Sequence, residues 1–388
     1  MEKGRTRCFR SKMDESYPTL AILEEKTMYD PSNILAWFEE KVEGMRRSRM
    51  KTLASIVGGA MRMQGSGVLA LGRAMEGPVA AKHRIKRVDR FLGNQQVEID
   101  LVSQAIFHRF RAQHEPVVVL ADWTDRHPYQ QLVLALPRDG RAIPFYSITV
   151  EKGDGTGAHA GLMIQAETEA LEALADMCGD TVRPIIIADR GFGNTRWLGD
   201  IQNWGWYFVQ RISREIYMET EHYTGHLYEL GIPRGRRPRD WGKGTMTNKF
   251  LGPVTLVTVH DRDANEPWFL VTNLEEELPR RIVNLYKRRM WIEAMFRDLK
   301  NSNWGLGMDH VRLTNEGRFD RHFLILALAY IFLFAFGAAA ERAGLGDRLK
   351  ANTTDERVLS LARIGNYFLQ TALLAIPIAI SALLELPT

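Results

Sequence analysis

Cysteine is almost absent from this chain of 388 residues, which contains only Cys8 and Cys178. The two lie far apart, and neither belongs to a C-x-x-C pair, so the sequence offers no disulfide framework and no cysteine-ligated zinc cluster. A chain that does without disulfides is typical of a reducing compartment. We therefore expect a cytoplasmic location.

A strong charge of one sign is also lacking, because 51 Lys and Arg residues nearly balance 47 Asp and Glu residues and leave a net charge of +4. Hydrophobic residues make up 45% of the chain and charged residues 25%, a composition typical of globular proteins and not of disordered or fibrous ones. The small excess of cations mildly favours a polyanionic partner.

Long apolar runs are limited to one stretch, His322 to Ala340, which at about 19 residues is close to the length of a membrane span. The N-terminus has no apolar run followed by a small-residue cleavage site, so it does not resemble a secretory signal. Charges flank the apolar stretch on both sides, in a chain otherwise suited to water. We interpret it as the buried helix of a large soluble protein and expect no membrane association.

The N-terminal third predicts a loosely ordered leader followed by a small helical domain. Apolar residues recur at three- and four-residue intervals from Pro31 to about Phe110, with glycine-rich breaks between helices. In one of these helices the apolar residues alternate with five cations that would face outward: Lys82, Arg84, Lys86, Arg87 and Arg90. Such a face is either merely solvated or binds a polyanion.

β-Branched and aromatic residues dominate from residue 116 onward. They predict three strands in succession, then a helix, a strand, a helix and a fifth strand that ends near Ile212. Further strands follow up to about Asn273, together with a basic loop that contains Arg234, Arg236, Arg237, Arg239 and Lys243. We predict an α/β protein: an RNase H-like core of three antiparallel strands followed by parallel strands with helices, a β-rich insertion, and helical N- and C-terminal regions.

Two aspartates follow strands that should be buried. Asp122 comes after Val117–Ala121, and Asp189 comes after Ile185–Ala188. A charge at such a point is costly unless it is paired or binds a metal, and neighbouring strands lie only about 5 Å apart. A divalent cation would remove the repulsion between two such carboxylates. Either aspartate alone is also compatible with a helix N-cap or a turn.

A third carboxylate lies on a predicted helix that extends from Ile282 to Asn301. Tyr286, Arg289, Glu293 and Lys300 form the pattern Y-x2-R-x3-E-x6-K, whose steps of three, four and seven residues place them along one stripe of the helix. The pattern is compatible with metal binding by the acid and phosphate binding by its neighbours. It is equally compatible with an amphipathic surface helix that carries an Arg289–Glu293 ion pair.

These motifs together resemble the DDE transposases of the insertion-sequence-four family, which are marked by the same Y-R-E-K helix. Residues 121–125 are similar to the family's first-aspartate motif, residues 187–192 to its second, and residues 84–94 to its N-terminal DNA-binding helix. The resemblance covers roughly residues 50–340. It implies metal-dependent cleavage of DNA at transposon ends and transfer of the 3′-OH into target DNA.

The resemblance also implies roles for individual residues and partners. Asp122, Asp189 and Glu293 would be the catalytic metal ligands for two Mg2+ ions, with Mn2+ as a substitute. The DNA-binding residues would be Tyr286, Arg289, Lys300, Arg211, Trp268 and the five cations of the N-terminal helix. Trp268 would stack on a flipped base, although it is also compatible with an aromatic core position. The implied partners are double-stranded DNA with terminal inverted repeats, a target DNA and a second copy of the chain in the synaptic complex of a nucleoid-associated enzyme.

The predicted domain boundaries follow from these assignments. They are 1–35 for the leader, 36–114 for the helical DNA-binding domain, 115–212 for the first part of the core, 213–275 for the insertion, 276–345 for the second part with the glutamate helix, and 346–388 for a C-terminal helical region that is a candidate for dimerisation. Two other functions share these features: a sequence-specific DNA-binding protein, inactive or domesticated, and a metal-dependent nuclease that cuts without rejoining.

Overall fold

The structure is a computed structural model that describes residues 31–63, 65–113, 116–153, 157–247, 251–350 and 357–371. The leader predicted at residues 1–35 lies outside the described residues except for its last five positions, which begin the first helix. Cys8 is also outside, and Cys178 is buried as a free thiol. Parts of the predicted C-terminal region, 351–356 and 372–388, lie outside as well.

The N-terminal region forms helices, as the three- and four-residue periodicity predicts. They are α1 (Pro31–Lys41), α2 (Arg47–Arg62), α3 (Val68–Ala74), α4 (Ala81–Gly93) and α5 (Ile99–Phe110). Helix α4 buries Val88, Phe91 and Leu92. Helices α3 and α4 pack closely at Gly72, where a Cβ atom would lie 2.5 Å from the Cα of Ile85. The absence of a side chain at Gly72 therefore sets how near the basic helix comes to its neighbour.

The central strands alternate with helices in the predicted order. Strands β1 (Val118–Arg126), β2 (Tyr129–Arg138) and β3 (Arg141–Glu151) precede α6 (Gly157–Cys178), β4 (Ile185–Ala188), α7 (Thr195–Asn203) and β5 (Tyr207–Arg211). Strands β1, β2 and β3 pair antiparallel, whereas β4 pairs parallel with both β1 and β5. Runs such as Ile185–Ala188 are buried on both faces, as a strand inside a parallel region requires.

The strands that follow extend the same sheet. They are β6 (Tyr217–Thr220), β7 (Tyr223–His226), β8 (Arg239–Met246), β9 (Leu251–Val259) and β10 (Trp268–Thr272). Strand β10 pairs antiparallel with β5, and the resulting ten-stranded sheet has the order β3-β2-β1-β4-β5-β10-β9-β8-β6-β7. The protein is thus a mixed α/β structure built on one large mixed sheet, to which the segment predicted as an insertion contributes five strands.

The helix predicted between Ile282 and Asn301 is divided in the structure. Helix α8 (Pro279–Lys287) ends before Arg288, and α9 (Met290–Lys300) begins after Arg289. The amides from Arg288 to Ile292 bond mostly to carbonyls three residues back, as Arg289 N to Tyr286 O at 2.9 Å, so the chain tightens into a 3-10 turn. The prediction of one uninterrupted helix is therefore wrong at this turn, where a stripe based on 3.6 residues per turn no longer holds.

The longest apolar run forms α10 (Glu316–Arg342), and α11 (Leu361–Gln370) packs against it. By length and composition α10 would be able to cross a membrane, but its apolar window is entirely buried inside the fold, as in the core helix of a soluble protein. The two helices touch at glycines: a Cβ atom on Gly337 would lie 1.8 Å from the carbonyl oxygen of Leu361. This contact lets two helices of a large core approach backbone to backbone.

Candidate active site

The register of the parallel strands brings two predicted ligands to the same level. Leu120 of β1 aligns with Ile187 of β4, and Asp122 and Asp189 each follow two residues later, so both lie in one row on one face. The sequence predicted that strand β1 ends at Asp122, but the strand is longer. It continues to Arg126 because the antiparallel strand β2 pairs with it beyond the end of β4, with Asp122 opposite Val133.

Asp189 has two contacts, one expected of a turn residue and one expected of a carboxylate in a shared site. Its Oδ1 accepts a hydrogen bond from the amide of Gly191 at 2.8 Å and so caps the 3-10 turn Arg190–Phe192. Its Oδ2 lies 3.8 Å from a guanidinium nitrogen of Arg289. The carboxylate therefore ends a buried strand, starts a turn and still presents one oxygen to its neighbours.

Arg289 stands at the centre of the three predicted carboxylate ligands. Its Nη1 lies 3.5 Å from Asp122 Oδ2 as well as near Asp189, and its Nη2 donates to Glu293 Oε1. The residue is only 7% exposed, although it contacts carboxylates on β1, just after β4 and on α9. The Arg289–Glu293 ion pair of the alternative interpretation is present, but it belongs to this larger group. We call Asp122, Asp189, Glu293 and Arg289 the carboxylate cluster.

The electrostatics of the cluster are dominated by burial of Asp122. Burial raises the pKa of Asp122 to about 7, the Arg289 cation opposes the shift, and the charges of Asp189 and Glu293 add to it. For Arg289 burial works against the charged form, but Tyr286 and the three carboxylates outweigh it, and its pKa is raised. The cluster therefore contains more negative charge than one guanidinium neutralises.

The cluster has the donor chemistry of an Mg2+ site, because Mg2+ prefers oxygen ligands and commonly binds through one or two carboxylates. With the side chains as they lie, no group of three or more acidic, histidine or cysteine side chains within the described residues is arranged to hold a metal ion. Arg289 occupies the space between the carboxylates instead. The buried guanidinium Nε of Arg289 has no hydrogen-bond partner among the described residues. The ligand types fit a divalent cation, provided that Arg289 turns away.

Comparison with known protein families bears directly on this site. Residues 159–332 match the family model of the transposase DDE domain. The match supports a transposase function with DNA as its substrate. It includes Asp189 and the whole segment from Tyr286 to Lys300, but it begins after Asp122, which enters the site through the register of β1 and β4. No curated protein matches this chain.

Tyr286 lies beneath the carboxylate cluster. Its ring is fully buried, and its hydroxyl has no hydrogen-bond partner among the described residues. Burial raises the pKa of Tyr286 to about 12, against the effect of the Arg289 and Arg211 cations. The ring of Trp268 packs edge to face on Tyr286 with centroids 5.0 Å apart. Trp268 is half-buried, so part of its indole stays accessible.

Lys300 and Arg211 are held by partners that the sequence did not reveal. Lys300 Nζ donates to the carbonyl oxygen of Asp125 at 3.0 Å and lies 3.5 Å from Asp309. Asp309 also lies 3.5 Å from the buried Arg126. Arg211 pairs with Glu266. Asp309 and Glu266 lie in loops without a recognisable motif, so only the fold shows that they hold these cations.

The five cations of α4 divide into two groups. Lys82, Lys86, Arg87 and Arg90 are exposed. Arg84 is half-buried and donates to the carbonyl oxygens of Gly77 at 3.0 Å and Gly72 at 3.3 Å, near the end of α3. The structure therefore presents four cations to solvent and engages Arg84 in joining two helices.

Proposed function

We propose that this protein is a transposase that cleaves DNA phosphodiester bonds at the ends of its element and transfers the 3′-OH into target DNA. Asp122, Asp189 and Glu293 are its catalytic metal ligands. The observation that carries this proposal is the convergence of three carboxylates, from three separate elements, on the one buried cation of Arg289. A fold that tolerates so much negative charge in one place is typical of a site that binds cations.

Two Mg2+ ions, or Mn2+ in their place, would be held by the three carboxylates, and when bound they would supply an activated water or 3′-hydroxyl and stabilise the leaving oxygen. The chain's own residues prepare this site. Asp122, on β1, has only 14% of its side chain exposed, and the register of β1 with β4 keeps Asp189 beside it. Glu293 is the most accessible of the three, with 45% of its side chain exposed, so it has the most freedom to adjust.

Arg289 links the cluster to the substrate in this proposal. Its planar guanidinium forms paired hydrogen bonds with phosphate as readily as with carboxylate. A DNA phosphate at the site offers Arg289 an alternative anion, and the carboxylates that it leaves are then free to bind cations. Lys300, next to Asp309 at one end of α9, and Tyr286 beneath the cluster are the other proposed phosphate contacts; the buried Tyr286 hydroxyl reaches a phosphate only after the site opens.

Further contacts with DNA follow the same proposal. Trp268 and Arg211 lie on β10 and β5, next to the cluster, where the half-buried indole would stack on a distorted base. The four exposed cations of α4 would bind the backbone of the element end, and Arg84 would keep α4 in place. The catalytic part of the sheet, β1 to β5, is then an RNase H-like core, and the enzyme is of the insertion-sequence-four type.

The assembly follows from the reaction. Two element ends must be joined to one target, so a homodimer in the synaptic complex is the simplest arrangement, acting on duplex DNA with terminal inverted repeats. The predicted domain boundaries, with residues 346–388 as the candidate for dimerisation, belong to this proposal. The expected location is the cytoplasm, at the nucleoid.

The test is a cleavage and strand-transfer assay with Mg2+ on duplexes that carry the inverted repeats flanking the gene. Asp122→Asn, Asp189→Asn and Glu293→Gln should each abolish cleavage and leave binding of the ends largely intact. Asp125→Asn is the matched control, because Asp125 is exposed and pairs with Lys152 at 2.9 Å, outside the carboxylate cluster. Intact end binding without any cleavage by the wild-type protein would instead identify a DNA-binding protein. Cut ends that never join a target would identify a nuclease.

A further inference from the structure

A run of arginines leads into β8 and has no part in the proposed chemistry. Four arginines lie within six residues, and all are exposed: Arg234, Arg236, Arg237 and Arg239. We call these four the arginine segment. Across the part of the chain that the structure describes, none of them forms an ion pair with a carboxylate. Such a concentration of unneutralised guanidinium groups is costly in self-repulsion and favours an anionic partner.

Strand register places the arginine segment at the same edge of the sheet as the carboxylate cluster. Ala188 aligns with Gln210, so Asp189 is level with Arg211, which aligns with Leu270. The row continues through Val257 to Asp240. Arg239 lies one residue beyond this row, and the rest of the segment lies farther out in the direction in which β1 and β4 end.

The distance along this edge suits a nucleic acid duplex. Strands β4 and β8 are four neighbour steps apart in the sheet order. At about 4.8 Å for each step the separation is about 19 Å, which is the length of about six base pairs of duplex at 3.4 Å each. One duplex can therefore reach both places.

The local geometry favours phosphate over bases as the ligand. Arg236, Arg237 and Arg239 border a concave pocket of about 220 Å³ whose floor includes Trp241, and no carboxylate lines it. The Arg239 guanidinium lies 3.7 Å from the centre of the Trp241 ring, and the indole N–H donates to Thr258 Oγ1 at 2.9 Å. The ring face and the indole donor are thus already used. The nearest acid in sequence is Asp240. Its carboxylate accepts a hydrogen bond from the amide of Gly242, farther along β8 and away from the arginine segment.

We propose that the arginine segment binds the phosphate backbone of duplex DNA, about six base pairs from the point at which the carboxylate cluster acts. The inference rests on the proposed function for the identity of the duplex. It adds a further DNA-binding surface, at the start of β8, separate from the Y-R-E-K helix and from α4. The contacts carry no base specificity, because phosphate contacts position a duplex and do not read its sequence.

The experiment measures the salt dependence of binding to a fluorescent random-sequence duplex of about 30 base pairs, since each phosphate contact contributes about 0.9 to the slope of log K against log salt. The variant Arg236→Gln/Arg237→Gln should lower that slope by about 1.8 and weaken binding about tenfold or more at low salt. Arg183→Gln/Arg342→Gln is the control of equal charge. Both of its arginines are exposed; Arg183 precedes β4 at the opposite edge of the sheet, and Arg342 ends α10.

Equal slopes for the wild-type protein and the Arg236/Arg237 variant would overturn the proposal, as would an equal loss in the control. Arg236→Lys/Arg237→Lys serves as the second variant and should keep the slope, because it retains the charge. Cleavage by the wild-type protein decides the proposed function separately. If the wild-type protein does not cleave DNA but the Arg236/Arg237 variant has a lowered slope, DNA binding by the arginine segment is supported and the proposed function is not. If the wild-type protein cleaves DNA and the variant keeps the wild-type slope, DNA binding by the arginine segment is refuted and the proposed function stands.

Discussion

The negative charge of the carboxylate cluster can be neutralised by the Arg289 cation or by bound metal ions. Replacing Arg289 by methionine tests the two separately. The substitution keeps much of the side-chain volume and removes the one cation, among the described residues, that contacts Asp122, Asp189 and Glu293 together. Removing one partner of a fully buried ion pair costs about 3–5 kcal/mol. Only Asp122, with 14% of its side chain exposed, is a buried partner here, whereas Asp189 and Glu293 are 34% and 45% exposed. We therefore expect a loss of about 2–3 kcal/mol in the free energy of unfolding, measured with a chelator present.

The same substitution should make stability depend on pH and on metal ions. Burial already raises the pKa of Asp122 to about 7, so its proton is bound more tightly in the folded state than in the unfolded state, where the pKa is near 3.8. Stability from this group is present at low pH and is lost as the pH rises through about 7. Without Arg289 the loss should be larger at pH above 7 than in acid, and Mn2+ should restore part of it.

The assay is thermal or urea unfolding of wild type, Arg289→Met, Glu293→Gln and the double variant, each with chelator or with Mn2+. The double variant should recover part of the lost stability, because it removes one of the uncompensated charges. The reasoning is refuted if Arg289→Met is as stable as wild type in chelator. It is also refuted if Mn2+ stabilises the variant no more than it stabilises the wild-type protein.

Three further outcomes follow from the fold. Gly337→Ala should destabilise the protein by about 2–3 kcal/mol, seen as a lower midpoint of thermal unfolding, because its Cβ would lie 1.8 Å from the Leu361 carbonyl oxygen and drive α11 from α10. His322 has its pKa lowered to about 3 by burial and by Arg126, so stability should fall as the pH drops below about 6.5, and His322→Gln should weaken that dependence in urea unfolding at pH 7 and pH 4.5. If cleavage proceeds through a hairpin at the cut end, Trp268→Ala should slow formation of that hairpin, followed on denaturing gels, and leave the first nick unchanged; equal hairpin rates would make Trp268 a packing residue for Tyr286 only.

The local parts of this fold are readable from the sequence. Hydrophobic runs predicted the central strands, and α7 and β10 occupy the predicted residues. What the sequence could not show is pairing between distant segments. The 3-10 turn at Arg288 and Arg289 interrupts a pattern that looks continuous in apolar periodicity, and the contact of Arg289 with all three acids depends on how that turn lies over the sheet. The partnership of Lys300 with Asp309 likewise depends on a loop that no local periodicity describes.

The alignment of Leu120 with Ile187 has a consequence for how this protein can vary. The pairing of the buried strands β1 and β4 sets the spacing between the Asp122 and Asp189 carboxylates. A one-residue insertion in either strand would shift one aspartate along the sheet and turn it to the opposite face, even though every residue type remained present. Loops far from the cluster can lengthen freely, but the distance from Val118 to Asp122 and from Ile185 to Asp189 must be kept. If the proposed function is right, such an insertion in either strand would stop cleavage even though all three proposed metal ligands are still present.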